Sequence, residues 1–165
     1  MPSDAEIAAE ILADESQLRF PAFSTEEAVT IGMSIRKRFR ASVKYARGKG
    51  LVISIQDMQG SPMFACGVGE GSDVSLDSWM RLEGMIKVVR RTGHSTYYVE
   101  KGIAAIAKTA DQLGLPFPEY RIEGGAFPIW LQNAPSTPIG VIAVYSGSSH
   151  EDHQVHHYFV SHTPK

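Results

Sequence analysis

Lys87, Arg90 and His94 stand at i, i+3 and i+7 with Arg91 beside them, and Ser95, Thr96, Tyr97 and Tyr98 follow at once. At helical spacing these cations and donors project together near one helix end, a set that suits a carboxylate or phosphate, which arginine grips bidentately. The plainer reading is that cations at a helix C-terminus offset its dipole, worth about 0.3–1 kcal/mol each. Residues 94–98 nevertheless carry more polar donors than a helix end needs. A second candidate is bare backbone. Gly124 and Gly125 precede one apolar run (126–130), and a second run (139–145) ends at Ser146-Gly147 before Glu151-Asp152-His153. N–H groups in such a turn, beside a helix start, can hold an anion.

Five of the six histidines fall in the last sixteen residues: His150, His153, His156, His157 and His162. On a helix His153 and His157 are one turn apart, a spacing that can chelate Zn²⁺ or present an axial ligand to haem iron. No Glu stands between them in the zincin pattern and no carboxylate shell is evident, so a surface cluster or a subunit contact competes with a metal site. Nucleophilic chemistry has little support, because Ser146-Gly147-Ser148 lacks the flanking Gly-x-Ser-x-Gly elbow. Cys66 is the single cysteine and lies in an apolar strand run; no intrachain disulfide can form. Asp57, just after a strand, is a candidate base, with an Asx turn the commoner role for Asp in that place.

The elements that must position these groups follow from hydrophobic periodicity. Ile7, Ala8, Ile11 and Leu12 predict an N-terminal helix over 4–16, followed by a short extended segment at Leu18-Arg19-Phe20. Ala28, Ile31, Ile35, Phe39, Val43 and Ala46 recur at three- and four-residue steps and predict a helix from Ser24 or Thr25 to Gly48. Segments 51–57 and 62–68 read as a β-hairpin. Trp79, Leu82, Ile86 and Val89 predict a third helix from Ser75 or Asp77 to Arg91, with Gly93 as its left-handed stop. Segment 95–115 has a helical middle ending at Gly114, and 152–161 reads as a C-terminal helix.

With 165 residues and 43% of them hydrophobic, the chain is long enough for one domain, 1–165, with a real core. A net charge of −2 argues against a strong nucleic-acid binder. The absence of a bilayer-length apolar run and an acidic start unlike a signal peptide predict a cytoplasmic protein without membrane insertion. The charge is unevenly spread: seven of sixteen Lys and Arg lie between Arg36 and Lys49, while the first 27 residues hold seven acids against Arg19 alone. The acidic helix could therefore lie near the basic one, of its own or of a neighbouring subunit, although two solvated helix faces are the commoner meaning of such charge runs.

Four ordered segments carry a family resemblance: 52–60, 90–98, 124–129, and 139–147 with Glu151-Asp152-His153. In order and spacing they resemble the haem-degrading-domain superfamily, which includes HbpS, GlcG and the C-terminal domain of PduO, and within it a branch of small stand-alone cytosolic proteins. The resemblance implies an α+β fold, a three-layer α-β-α sandwich around a five-stranded antiparallel sheet (profilin-like), assembled as a ring-like homo-oligomer. It implies haem, or a corrinoid, as the cofactor, with haem degradation in some members. Carried onto this chain, it implies a pocket at or near a subunit interface. His94 would be the axial ligand or donor, chosen on local chemistry; Lys87, Arg90 and Arg91 would meet the propionates, Ser95 and Tyr97 would add donors, and Gly124-Gly125 would pack on the ring. Leu82-Glu83-Gly84 depart from the more basic run expected there. Two other readings stay open: a non-catalytic homo-oligomeric scaffold that recruits a protein partner, and a small-molecule enzyme using His94 and Asp57 as acid and base.

Overall fold

Ser24 starts the helix against which the sheet is built. The computed structural model describes residues 1–69 and 74–156. In it the backbone N–H of Ser24 donates to Glu27 Oε2 (2.7 Å) within a capping box, so α2 (Thr25–Arg40) begins where the Ser-x-x-Glu pattern places it. Ala28, Ile31 and Ile35 of α2 share one hydrophobic cluster with Leu51, Ile53, Ile55, Phe127, Ile129, Ile142 and Val144. The alternate residues Val52, Ala126, Val141 and Ala143 point the other way, onto Leu82, Met85, Ile86 and Val89 of α4 (Leu76–Thr92). This period-two alternation, buried on both faces, gives three layers of helix, sheet and helix. Each such aliphatic side chain contributes about 1.5–3 kcal/mol by leaving water.

The sheet has five strands in the order β1 (Arg19–Phe20), β4 (Ala126–Leu131), β5 (Gly140–Tyr145), β2 (Leu51–Asp57) and β3 (Pro62–Val68). β2 and β3 are the predicted hairpin, with a bulge between Ile55 and Gln56. The expectation of a purely antiparallel sheet is corrected: β1 runs parallel to β4, Arg19 opposite Trp130 and Phe20 opposite Leu131. Side chains explain the placement. The Arg19 guanidinium lies 4.3 Å over the Trp130 ring, and Phe20 enters the core edge-on to Phe23 at 5.1 Å. Pro128, with no N–H to give, precedes the part of β4 that β1 pairs.

Three predicted helices are shortened or shifted. α2 stops at Arg40 rather than Gly48, because Ser42 turns its hydroxyl to Phe39 O (2.5 Å) and accepts from Tyr45 N (3.3 Å), starting a separate turn, α3 (Val43–Ala46). α5 (Thr96–Ala105) starts earlier than the predicted helical middle, since Ser95 caps it by accepting from Tyr98 N (3.3 Å). A 3₁₀ turn, Asp111–Leu113, then leads to Gly114. The C-terminal element is a short helix, α6 (Ser149–His153), followed by a 3₁₀ turn, Gln154–His156; the rest of the predicted 152–161 helix lies outside the described residues.

The N-terminal helix, α1 (Asp4–Gln17), packs on α5 rather than on the basic helix. Asp4 pairs with Lys101 (3.0 Å) and the Glu15 carboxylate meets His94 Nδ1 (3.1 Å), so the two helices run antiparallel with an ion pair at one end and a hydrogen bond at the other. Within one chain the acidic helix thus meets α5 rather than the basic run of α2.

Candidate functional site

α4 ends on Gly93, in the left-handed region at φ +73° with its N–H on Val89 O (2.8 Å). His94 N then donates to Thr92 Oγ1 (3.2 Å), which fixes the backbone of the turn into α5. The His94 ring lies 4.8 Å from that of Tyr98. Its Nδ1–H donates to Glu15 Oε2 (3.1 Å), while Glu15 Oε1 accepts from Ser95 N (2.6 Å). A carboxylate can only accept, so Glu15 puts the imidazole proton on Nδ1 and leaves Nε2 as an open lone pair. The His94 side chain is 40% exposed and the Glu15 side chain 10%.

The cations around His94 do not converge. Lys87 pairs with Glu119 at 3.7 Å, Arg90 Nη2 donates to Gln56 Oε1, and Arg91 lies 5.8 Å over the Tyr120 ring. Lys87 and Arg91 thus face the loop before β4, Arg90 faces the β2–β3 hairpin, and His94 faces α1. The predicted single anion grip is replaced by separate contacts. Ser95 is buried and serves as the α5 cap.

Tyr97, Gly124 and Gly125 do come together, at the corner where α5, β4 and α6 meet. A Cβ on Gly124 would stand 2.5 Å from Ser149 O and 3.0 Å from Tyr97 Cδ2. Gly124 N donates to Ser149 Oγ (3.0 Å), and Ala126 N to Thr96 Oγ1 (3.1 Å). The Tyr97 hydroxyl lies 3.3 Å from His150 Nδ1, and its ring 4.5 Å from that of His153, which in turn stacks on Phe127 at 5.3 Å. Both glycines are buried, and the space a Cβ would take at each is occupied by the chain's own atoms. Glu100 joins this corner, and burial raises its carboxyl above the ordinary range.

Behind the corner lies a buried network. Asp152 Oδ2 accepts from Ser146 N (2.8 Å), its Oδ1 accepts from the Ser146 hydroxyl (2.5 Å), and Lys44 Nζ donates to Ser146 Oγ (2.9 Å). Lys44 also pairs with Glu151. Burial pushes the Asp152 carboxyl up to about 6, against these hydrogen bonds from Ser146.

Asp57 is a turn residue. Its Oδ1 accepts from Ser61 N and Gln59 N, each at 2.9 Å, and those bonds, Ser61 first, hold its carboxyl below the ordinary range. It belongs to the hairpin and His94 to the α1–α5 contact, so the two share no partner for acid–base work. His153 is a buried ring partner, and His157 lies outside the described residues. Among the described residues no three His, Cys, Asp or Glu side chains gather as a metal centre needs. Two residues of this arrangement escaped the sequence reading. Glu15 looked like one acid on a solvated face, and Lys44 like one cation in a run; neither carries a local signal for a partner about eighty or a hundred positions on.

A five-stranded mixed sheet covered by helices on both faces, with a carboxylate-oriented histidine at the α4–α5 turn, is the class of α+β domain these observations define. The chain belongs to the HbpS-like family of haem-degrading proteins, whose family model matches residues 23–160. It is similar to a UPF0303 protein of Mesorhizobium japonicum, 34% identical over 147 residues that cover 88% of this chain and 81% of the relative. Its fold is similar to that of the Ybr137w protein, with a TM-score of 0.84 at 20% identity, covering 96% and 88% of the two chains. A structure of PduOC in complex with haem has a TM-score of 0.61 at 14% identity, covering 85% of this chain and 94% of that one. Among the described residues no helix is long and apolar enough to cross a membrane.

Proposed function

We propose that this chain binds haem, with His94 as the axial ligand and Glu15 as the residue that aims it. The observation that carries the proposal is the bond from His94 Nδ1–H to Glu15, which leaves Nε2 open. Metal-binding histidines are held in this way, the second ring nitrogen on a carboxylate fixing tautomer and orientation. Family membership and the likeness to PduOC, whose structure was solved with haem, support the choice of ligand. Bound haem supplies a redox-active iron; the chain supplies the donor, its orientation and charge for the propionates. Lys87 and Arg91 face the loop before β4 and reach propionates only by leaving their present contacts, which are exposed or weak, whereas Arg90 is committed to Gln56. A half-exposed histidine on a surface turn encloses only one edge of a ring. The remaining wall is assigned to a neighbouring copy in a homo-oligomer.

Titrating the purified protein with haem is expected to give a saturable Soret band that His94→Ala abolishes or shifts, with the melting temperature kept. An unchanged spectrum in the variant would sink the proposal. Glu15→Gln separates orientation from contact. Ser95 N needs an acceptor, so the oxygen of the substituted amide stays there and its NH₂ turns toward His94 Nδ1, driving the imidazole proton to Nε2. Haem affinity is expected to fall about 10–100-fold although Glu15 touches no ligand. The tautomer change is read separately from imidazole nitrogen shifts in NMR, and an unchanged tautomer would remove Glu15 from the site.

A further inference from the structure

On the opposite face of the sheet from His94, two cavities of about 860 and 700 Å³ adjoin along the end of α2 and share Arg36, Arg40 and Tyr45 in their linings. The first adds Lys49 and the backbone of Gly48, Gly67 and Gly69; the second adds Lys37 and Met33. Among the described residues no acidic side chain lines either cavity. Arg36 is half-buried and Lys37 and Arg40 are exposed, and among the described residues no carboxylate pairs with any of the three. Arg36 and Arg40 are one turn apart, where like charges repel across the helix surface. Arg36, Lys37 and Arg40 are thus crowded along one trough with no paired carboxylate among the described residues.

The geometry points to this trough as a binding site for a small phosphorylated metabolite carrying at least two phosphate charges. Paired guanidinium groups match phosphate oxygens bidentately. A phosphate chain holds several charges within a few bonds of one another, which suits cations crowded on the last turns of one helix. The trough is far larger than orthophosphate and lies in the range of pockets for metabolite-sized ligands. Tyr45, common to both cavities and with the Arg40 guanidinium 5.9 Å from its ring, gives the uncharged part of the ligand a flat surface. A nucleic acid is disfavoured by the same dimensions, since a duplex or long single strand needs cations and aromatic rings along an extended stripe. The site stands independently of haem, which is assigned to the other face.

ADP serves as the probe, titrated calorimetrically into the full chain at about 0.15 M salt, where long-range surface attraction is largely screened. Saturable binding is expected, with inorganic pyrophosphate competing and adenosine not. The double variant Arg36→Gln, Arg40→Gln should lose at least about tenfold in affinity while its melting temperature without ligand stays level or rises. The assignment is overturned if ADP shows no heat, if the double variant binds it undiminished, or if sulfate at equal ionic strength competes as well as pyrophosphate. A single-stranded oligonucleotide that binds more tightly than ADP would also overturn it.

Discussion

Gly125→Ala is expected to destabilise the protein by about 4 kcal/mol, taking about 1–3 for backbone strain and about 1–3 for overpacking. Gly125 sits at φ +131°, a region L side chains rarely adopt. An added Cβ would stand 2.4 Å from Val144 O, 2.9 Å from Asp152 Cβ and 3.2 Å from Met85 Cε. The first of these is backbone, and Val144 N donates to Gly125 O (2.9 Å), so the clash is relieved only by parting β4 from β5. Against a total stability of about 5–15 kcal/mol, such a loss is a large share of the whole. Gly93→Ala is the control. It too has positive φ, but nothing lies within 4 Å of its Cβ position, so only the left-handed penalty of about 1–2 kcal/mol applies. Urea unfolding of both variants measures the difference; equal losses would refute the close-packing argument.

Asp152→Asn is expected to remove a pH dependence and to reverse its effect on stability between pH 4 and pH 6. The folded carboxyl titrates at about 6, raised from an ordinary value of 3.8. A raised folded value means the native state binds the extra proton. The stability it contributes is therefore complete below about pH 4 and is lost as the pH rises through 6, for a total of about 3 kcal/mol. Asn at this position still accepts from Ser146 N, but the Ser146 hydroxyl loses its acceptor, at a cost of about 1 kcal/mol. The variant should thus be less stable than the parent at pH 4 and more stable at pH 7.5. Subtracting the two stability curves isolates Asp152 from the oppositely shifted Asp57 and Glu151, which are common to both proteins. Parallel curves would show that Asp152 remains ionised throughout.

The elements read best from the sequence are those whose signals are local. α4 could be placed because Trp79, Leu82, Ile86 and Val89 share a stripe and Gly93 supplies a stop within the same twenty residues. The β2–β3 hairpin declares itself through a β-branched run, a second largely apolar run and a short turn between them. β1 was legible as an extended segment but not as a parallel strand, since its direction depends on Trp130, over a hundred residues away. The functional side chains divide in the same way. Helical spacing placed Lys87, Arg90, Arg91 and His94 near one another in the frame of α4, but it is blind to what surrounds that helix. The loop with Glu119 and Tyr120, the hairpin with Gln56, and α1 with Glu15 draw those side chains apart. Tyr97 and the two glycines did meet, because a close backbone approach leaves a sequence trace in the glycines themselves.

The family match begins at residue 23, yet Asp4 and Glu15, which dock α1 on α5 and aim His94, both lie ahead of it. The contacts that hold the His94 ring are therefore carried by a segment outside the span that the family model matches. A relative that kept the sheet but lacked this helix would carry the same histidine as a freely turning surface ring, with its tautomer left to water. A change confined to that helix would then reset the tautomer of the ring without one change in the strands.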